Sequence, residues 1–248
     1  MKITITDTEK QFYDGVAWRV AVEIANKPDA VIGFSTGRTT KGVHASLVEI
    51  HKNYPFDISK MTVFGLDEIT NISREYSGSC YYILRHEVVE PLSIPLKNYL
   101  MPPTYSDDFS KECRDYEAAI SARGPVTLQI LGIGENGHIG FNHPGTPFNS
   151  DAWLSKMDEE LDRRIRHETG STLDAPLGGL TLGIRSIMHS KKIILAANGA
   201  RKSQIIRDTI FGSISEEIPA SILQLHPDCE VFLDAEAARC LGPQTKLV

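Results

Sequence analysis

Three loops carry the residues whose types and spacing could do chemistry. The first is Gly33-Phe34-Ser35-Thr36-Gly37-Arg38-Thr39-Thr40, between a strand-like run and a helix-like one. Small hydroxyl residues around a glycine let backbone N–H groups converge on an anion, and the dipole of the following helix adds to the attraction. Arg38 offers a guanidinium that can grip phosphate bidentately. A tight turn with Thr39 or Thr40 as the helix cap is the plainer reading of the same residues. Gly33-x-Ser35-x-Gly37 also fits the nucleophile elbow of α/β-hydrolases, but that elbow normally follows several strands, and only one or two precede it here.

The second loop is Leu66-Asp67-Glu68, at the end of an apolar run. Two carboxylates at a strand end are candidates for acid–base work, although such residues also serve as caps. The third runs from Leu131 to Gly145, LGIGENGHIGFNHPG. Gly132, Gly134 and Gly137 satisfy GxGxxG, but the dinucleotide fingerprint needs a helix to begin there. Gly140, Pro144 and Gly145 resist a helix. His138, in a loop of such flexible backbone, is a candidate for a working histidine rather than a packed one. His138 and His143 are five apart with no HExxH context, so the spacing argues against a metal site.

The elements around these loops alternate. Apolar or period-two runs at residues 2–6, 30–34, 61–66, 126–132, 192–197 and 230–234 read as strands. Helical stripes occupy 11–26, 41–53, 81–89, 111–122, 200–211 and 235–241. This alternation predicts an α/β fold, doubly wound, with a mostly parallel sheet sandwiched by helices. One domain is expected over residues 1–248. In such folds ligands bind beyond the carboxyl ends of the strands, where all three loops lie. The irregular stretch 141–179 holds a charged helix-like piece at 158–168 and closes on a turn-rich segment at 170–179. A lid over about 145–180 is expected, with a plain surface excursion as the alternative.

Composition bounds the partners. The chain has 248 residues, a formal net charge of -6, 41% hydrophobic and 23% charged residues. That balance suits a globular core and excludes a disordered chain. It does not favour nucleic acid or an anionic membrane surface, while a locally basic pocket could still take an anionic metabolite. No stretch approaches the ~18 apolar residues of a membrane span, and the N-terminus has no signal-peptide block. Cys80, Cys113, Cys229 and Cys240 form no CxxC pair and read as free thiols in a reducing compartment. A cytoplasmic protein is expected.

The ordered blocks STGRTTKG, FGLDEI, LGIGENGHIGFNHPG, GLTLGI and IPASILQLHP resemble the glucosamine 6-phosphate deaminase/isomerase family over nearly the whole chain. More distantly that family takes in 6-phosphogluconolactonases. The resemblance implies conversion of an amino-sugar 6-phosphate and water to a ketohexose 6-phosphate and ammonia. Glucosamine 6-phosphate is the first expectation and galactosamine 6-phosphate the second. It implies no cofactor and no metal, a phosphorylated amino sugar as small-molecule partner, and allows a homo-oligomer. By the same resemblance Asp67 is the proton shuttle between C2 and C1, and His138 opens the ring. Asn136 and His143 stand beside it as catalytic positions. Ser35, Thr36, Gly37, Arg38, Thr39 and Lys202 would hold the phosphate, and Glu68 would contact the sugar.

The chain departs from the family pattern at several of these positions. Arg38 replaces a small residue, Asn136 an aspartate common in relatives, and His143 the glutamate that partners the ring-opening histidine. Arg163, Arg164 and Arg166 all qualify as the family's lid arginine. The short chain and the absence of matching basic lid residues imply no effector site. A 6-phosphogluconolactonase-like hydrolase, a related sugar-phosphate isomerase and a non-catalytic sugar-phosphate sensor remain as alternatives.

Overall fold

A computed structural model describes residues 1–170 and 177–242. Seven parallel strands form the main sheet: β1 (Lys2–Thr6), β2 (Val31–Phe34), β3 (Thr62–Gly65), β5 (Tyr99–Leu100), β6 (Leu128–Leu131), β9 (Ile193–Ala197) and β10 (Cys229–Asp234). Their order across the sheet is β1-β10-β9-β6-β2-β3-β5. Strands β2, β3, β6 and β9 are buried throughout. Their sequences are correspondingly rich in apolar residues, as expected of strands covered on both faces.

Helices α1 (Glu9–Asn26), α2 (Arg38–Asn53), α4 (Phe109–Ser121) and α7 (Ser203–Phe211) flank this sheet. In α1 the buried face is Phe12, Val16, Ala17, Val20, Ala21 and Ile24, the i, i+4 stripe visible in the sequence. Its start is set by a capping box, in which Thr8 accepts from Gln11 N–H and the Gln11 side chain reaches back. Two apolar cores result, one on each side of the sheet. Phe12, Val20, Phe34 and Phe232 lie in one, and Phe64, Leu131, Leu195 and Ile206 in the other.

From β2 the chain proceeds outward to β3 and β5. It then returns to the other side of β2 as β6 and continues through β9 to β10. The reversal falls between β2 and β6, which pair through Ile32 and Leu128. A crevice opens beyond the strand ends at such a switch point. The Ser35–Thr40 and Gly132–His143 loops leave from those ends.

A second, three-stranded antiparallel sheet was not legible in the sequence. It consists of β4 (Asp67–Ile69), β8 (Gly178–Thr181) and β7 (Trp153–Lys156), in the order β4-β8-β7. Leu66 alone separates β3 from β4, so the chain passes from one sheet to the other across that residue. The 145–180 segment therefore contributes two strands to this sheet, together with α5 (Glu159–Thr169). The turn-rich expectation at 170–179 lies in part outside the described residues. The helix expected over 81–89 is α3 (Cys80–Leu84) followed by a π-helical turn at Arg85–Val89. The helices α6 (Ile184–Met188) and α8 (Ala235–Ala238) complete the set. Among the described residues no helix is long and apolar enough to cross a membrane, and all four cysteines are free.

Candidate active site

The three loops meet around one cavity of about 860 Å³ at the switch point. One end of it is built at the start of α2. Gly37 is the N-cap, with φ 151° and no side-chain cap. That φ favours glycine. The expected capping by Thr39 or Thr40 does not occur. Thr39 donates to Asn198 Oδ1 at 2.6 Å, and Thr40 to Gly37 O at 3.2 Å. The uncapped N–H groups at the start of α2 leave a positive pole at the cavity wall. Ser35 also lines the cavity, but its hydroxyl donates to Ile130 O at 2.7 Å. That bond pins the loop to β6 and leaves no hydroxyl proton for a nucleophile role.

Lys202 ends a 3₁₀ turn (Ala200–Lys202) that follows β9 and lines the same wall as Arg38 and Arg201. Burial and the neighbouring Arg38 and Arg201 push the Lys202 ammonium below its usual range, against the pull of Glu135. An anion arriving there would relieve this repulsion. Of the three lid arginines, Arg164 of α5 lines the cavity. Arg166 is turned to Asp162 at 2.7 Å, and Arg163 donates to Glu159 O.

Asp67 and Glu68 are adjacent in strand β4, so they point to opposite faces. Asp67 faces the cavity. Burial pushes its carboxyl up to about 6, against a hydrogen bond from Cys80. Glu68 does not reach the cavity, contrary to the sugar-contact expectation. It is 0% exposed, and its carboxylate accepts from the N–H groups of Ile69, Cys80 and Tyr81 at 2.7–2.9 Å. It ties the N-terminus of α3 to β4. Burial raises it to about 7, while those three donors pull the other way.

His138 stands over Gly134, where any Cβ would overlap its ring. Its Nδ1 lies 2.6 Å from Asn136 Oδ1, which also accepts from the His138 N–H. An amide oxygen accepts only, so Nδ1 carries the proton and Nε2 is left with the lone pair. Asn136 itself does not line the cavity and acts by orienting His138. The His143 ring meets His138 edge to face, with centroids 5.1 Å apart, and its Nε2 is buried without a partner. Burial first, then His143 and Lys202, lower His138 to about 4. Residue type and loop position pointed to these histidines. Cys80, Asn198 and Arg201 also line the cavity and carried no signal in the sequence. They arrive from α3 and the end of β9. Among the described residues no group of three or more His, Cys, Asp or Glu side chains could hold a metal ion.

A family model described as glucosamine-6-phosphate isomerases/6-phosphogluconolactonase matches residues 6–231. The chain belongs to this family. Among the similar proteins, a glucosamine-6-phosphate deaminase of Clostridium botulinum is 40% identical over 242 residues, covering 98% of this chain and 99% of that protein. One from Thermoanaerobacter pseudethanolicus is 35% identical, covering 96% and 94%. The solved structure of a monomeric glucosamine-6-phosphate deaminase superposes with a TM-score of 0.89 at 34% identity, covering 97% of this chain and all of that one. A 6-phosphogluconolactonase from Trypanosoma brucei shares the fold at a TM-score of 0.74 with 18% identity, covering 97% and 98%. In the terms of the glucosamine-6-phosphate isomerase family, the cavity occupies the strand-end crevice that the doubly wound fold provides.

Proposed function

We propose that the protein is a deaminating isomerase that converts glucosamine 6-phosphate and water to fructose 6-phosphate and ammonia. The observation that carries this reading is that a buried carboxylate (Asp67), a histidine with a free Nε2 (His138) and a cationic, uncapped helix start share one cavity. The phosphate docks on the N–H groups at Gly37–Thr39, with Lys202 and Arg38 beside it and Arg164 reaching from α5. Helix α5, rather than the whole 145–180 segment, is the mobile part of the lid, because β7 and β8 are paired into a sheet.

The anchored sugar must first open. His138 Nε2 takes the proton from the anomeric hydroxyl, and the ring oxygen receives a proton as the C1–O5 bond breaks. Asp67 then removes the C2 proton; the C–H pair becomes the C1=C2 bond, the carbonyl pair moves to the C1 oxygen, and that oxygen takes a proton from water to give the enol. The same carboxyl returns that proton to C1, which leaves an iminium at C2. Water adds to C2, and the C–N bond breaks to release ammonia and the ketone. A carboxyl pushed up to about 6 is poised for both halves of this transfer near neutral pH.

A second reading is 6-phosphogluconolactone hydrolysis, favoured by one observation. His138 is hydrogen-bonded to an amide and stands against a second imidazole. It could activate water for an acyl carbon without a carboxylate partner. Ammonia release from glucosamine and galactosamine 6-phosphates, measured beside lactone hydrolysis, decides between these reactions. Thermal stabilisation by glucosamine 6-phosphate without turnover would instead identify a sugar-phosphate sensor. Free thiols and a phosphorylated metabolite fit the cytoplasm, and sedimentation of the purified chain measures whether it self-associates.

A further inference from the structure

Among the described residues Asp67 has one side-chain hydrogen-bond donor. Cys80, at the first position of α3, donates from Sγ to Asp67 Oδ1 at 3.5 Å. Its sulfur in turn accepts from Thr36 Oγ1 at 3.2 Å. Thr36 belongs to the loop before α2, whose N–H groups face the phosphate end. A continuous path therefore runs from the anion-binding loop, through a thiol, to the carboxylate on the cavity floor. The thiol is held in place by its own backbone, because the Cys80 N–H donates to Glu68 at 2.9 Å and Ser79 caps the same helix. The buried Glu68 thus sets where the sulfur stands relative to Asp67.

We propose that Cys80 is a positioning residue for Asp67, holding Oδ1 through its S–H and passing to it the hydrogen-bond state of Thr36. The inference rests on reading Asp67 as the proton shuttle. The direction of each bond follows from the chemistry of the groups. Burial and the two nearby carboxylates hold the thiol well above its usual range, so it stays protonated and has an S–H to give. A donor to the ionised carboxylate favours ionisation, opposing the burial that disfavours it. When the Thr36 hydroxyl turns to a bound phosphate, the sulfur loses its donor. The S–H then becomes a weaker donor, and the proton affinity of Asp67 rises as the substrate seats. Other groups act on Asp67 as well. Glu68 lies beside it on β4 and Tyr116 behind it on α4. His138, His143, Asp158 and Arg164 line the shared cavity. None of these donates a hydrogen bond to Asp67, and Cys80→Ala leaves all of them in place.

The test reads Asp67 directly. In the full-length protein with 13C-labelled aspartate, the carboxyl resonance of Asp67 is titrated in the wild type, Cys80→Ala, Cys80→Ser and Thr36→Val. Loss of the donor in Cys80→Ala should raise the midpoint by about half a pH unit or more. Cys80→Ser, with a stronger donor of similar size, should keep it at or below the wild-type value. Thr36→Val should raise it by less than Cys80→Ala does. The acid limb of kcat/KM for glucosamine 6-phosphate should move with the midpoint. An unmoved midpoint in Cys80→Ala overturns the proposal, whatever happens to kcat. So does a fall in activity in both Cys80 variants with the limb in place, which would mark a packing role. Should Cys80→Ala fail to fold, an unmoved midpoint in Thr36→Val has the same force. A shifted midpoint in a protein that releases no ammonia would uphold the positioning role while ending the deaminase reading.

Discussion

The imidazoles of His138 and His143 meet edge to face with centroids 5.1 Å apart. Among the described residues neither ring is hydrogen-bonded to a carboxylate; His138 has only the Asn136 amide. Burial first, and then the neighbouring His143 and Lys202, disfavour protonation of His138 and lower it to about 4. It is therefore neutral at pH 7, with its Nδ1 held by Asn136. His143→Glu should place a negative charge beside His138 and raise the His138 midpoint by about a pH unit or more, measured by 15N imidazole NMR. If glutamate suits the present substrate better, kcat should rise as well. An unmoved His138 midpoint would show that the two rings do not interact.

The same lowered value has a consequence for folding. The unfolded chain binds a proton at His138 near pH 6.5, whereas the folded chain does so only near 4. The stability contributed by the neutral ring is fully present above about 6.5 and is lost as pH falls toward 4. His138→Gln should flatten the stability curve across that window while leaving its alkaline side in place. Urea unfolding at several pH values checks this.

Asp67 has the opposite sign. Its folded value is raised from 3.8 to about 6. The carboxyl therefore favours the fold only below about 3.8, and that contribution is gone once pH has risen through 6. Asp67→Asn should raise stability at pH 8 by on the order of 1–2 kcal/mol, with the gain fading below pH 4. It should also cut turnover by at least ~100-fold, the scale of a lost general base. A variant retaining a tenth of wild-type activity would remove Asp67 from the shuttle role.

Lys202 and Arg164 both line the cavity, whereas Arg163 does not. Lys202→Ala and Arg164→Ala should raise KM for glucosamine 6-phosphate several-fold more than they lower kcat, the mark of lost ground-state binding. Arg163→Ala should leave both constants near wild type. Equal effects of Arg163→Ala and Arg164→Ala would put the lid helix in another orientation during turnover.

Glu68→Gln separates a contact with the sugar from an anchor of the fold. The buried carboxylate accepts from three backbone N–H groups, and an amide presents its NH2 to some of them. The variant should lose about 2–3 kcal/mol of stability, seen as a lower urea midpoint. Its KM should change less than that of Lys202→Ala.

The period-two and period-four patterns were sufficient to indicate the parallel sheet and its flanking helices, because buried strands and amphipathic helices write their faces locally. The 33–40 loop, Asp67, His138, His143 and Lys202, which residue type singles out in turns and loops after strands, line one cavity. What the sequence could not settle was pairing between distant segments. Strands β4, β7 and β8 are short, come from residues far apart in the chain, and exist only through one another's hydrogen bonds. That sheet turns Asp67 toward the cavity and Glu68 away from it, so two adjacent carboxylates of equal promise in the sequence have different work. In the same way, the second sheet and α3 bring Cys80 to Asp67 across a sequence separation of 13. A thiol with no motif around it becomes part of the site because tertiary packing fixes distances that local pattern does not encode.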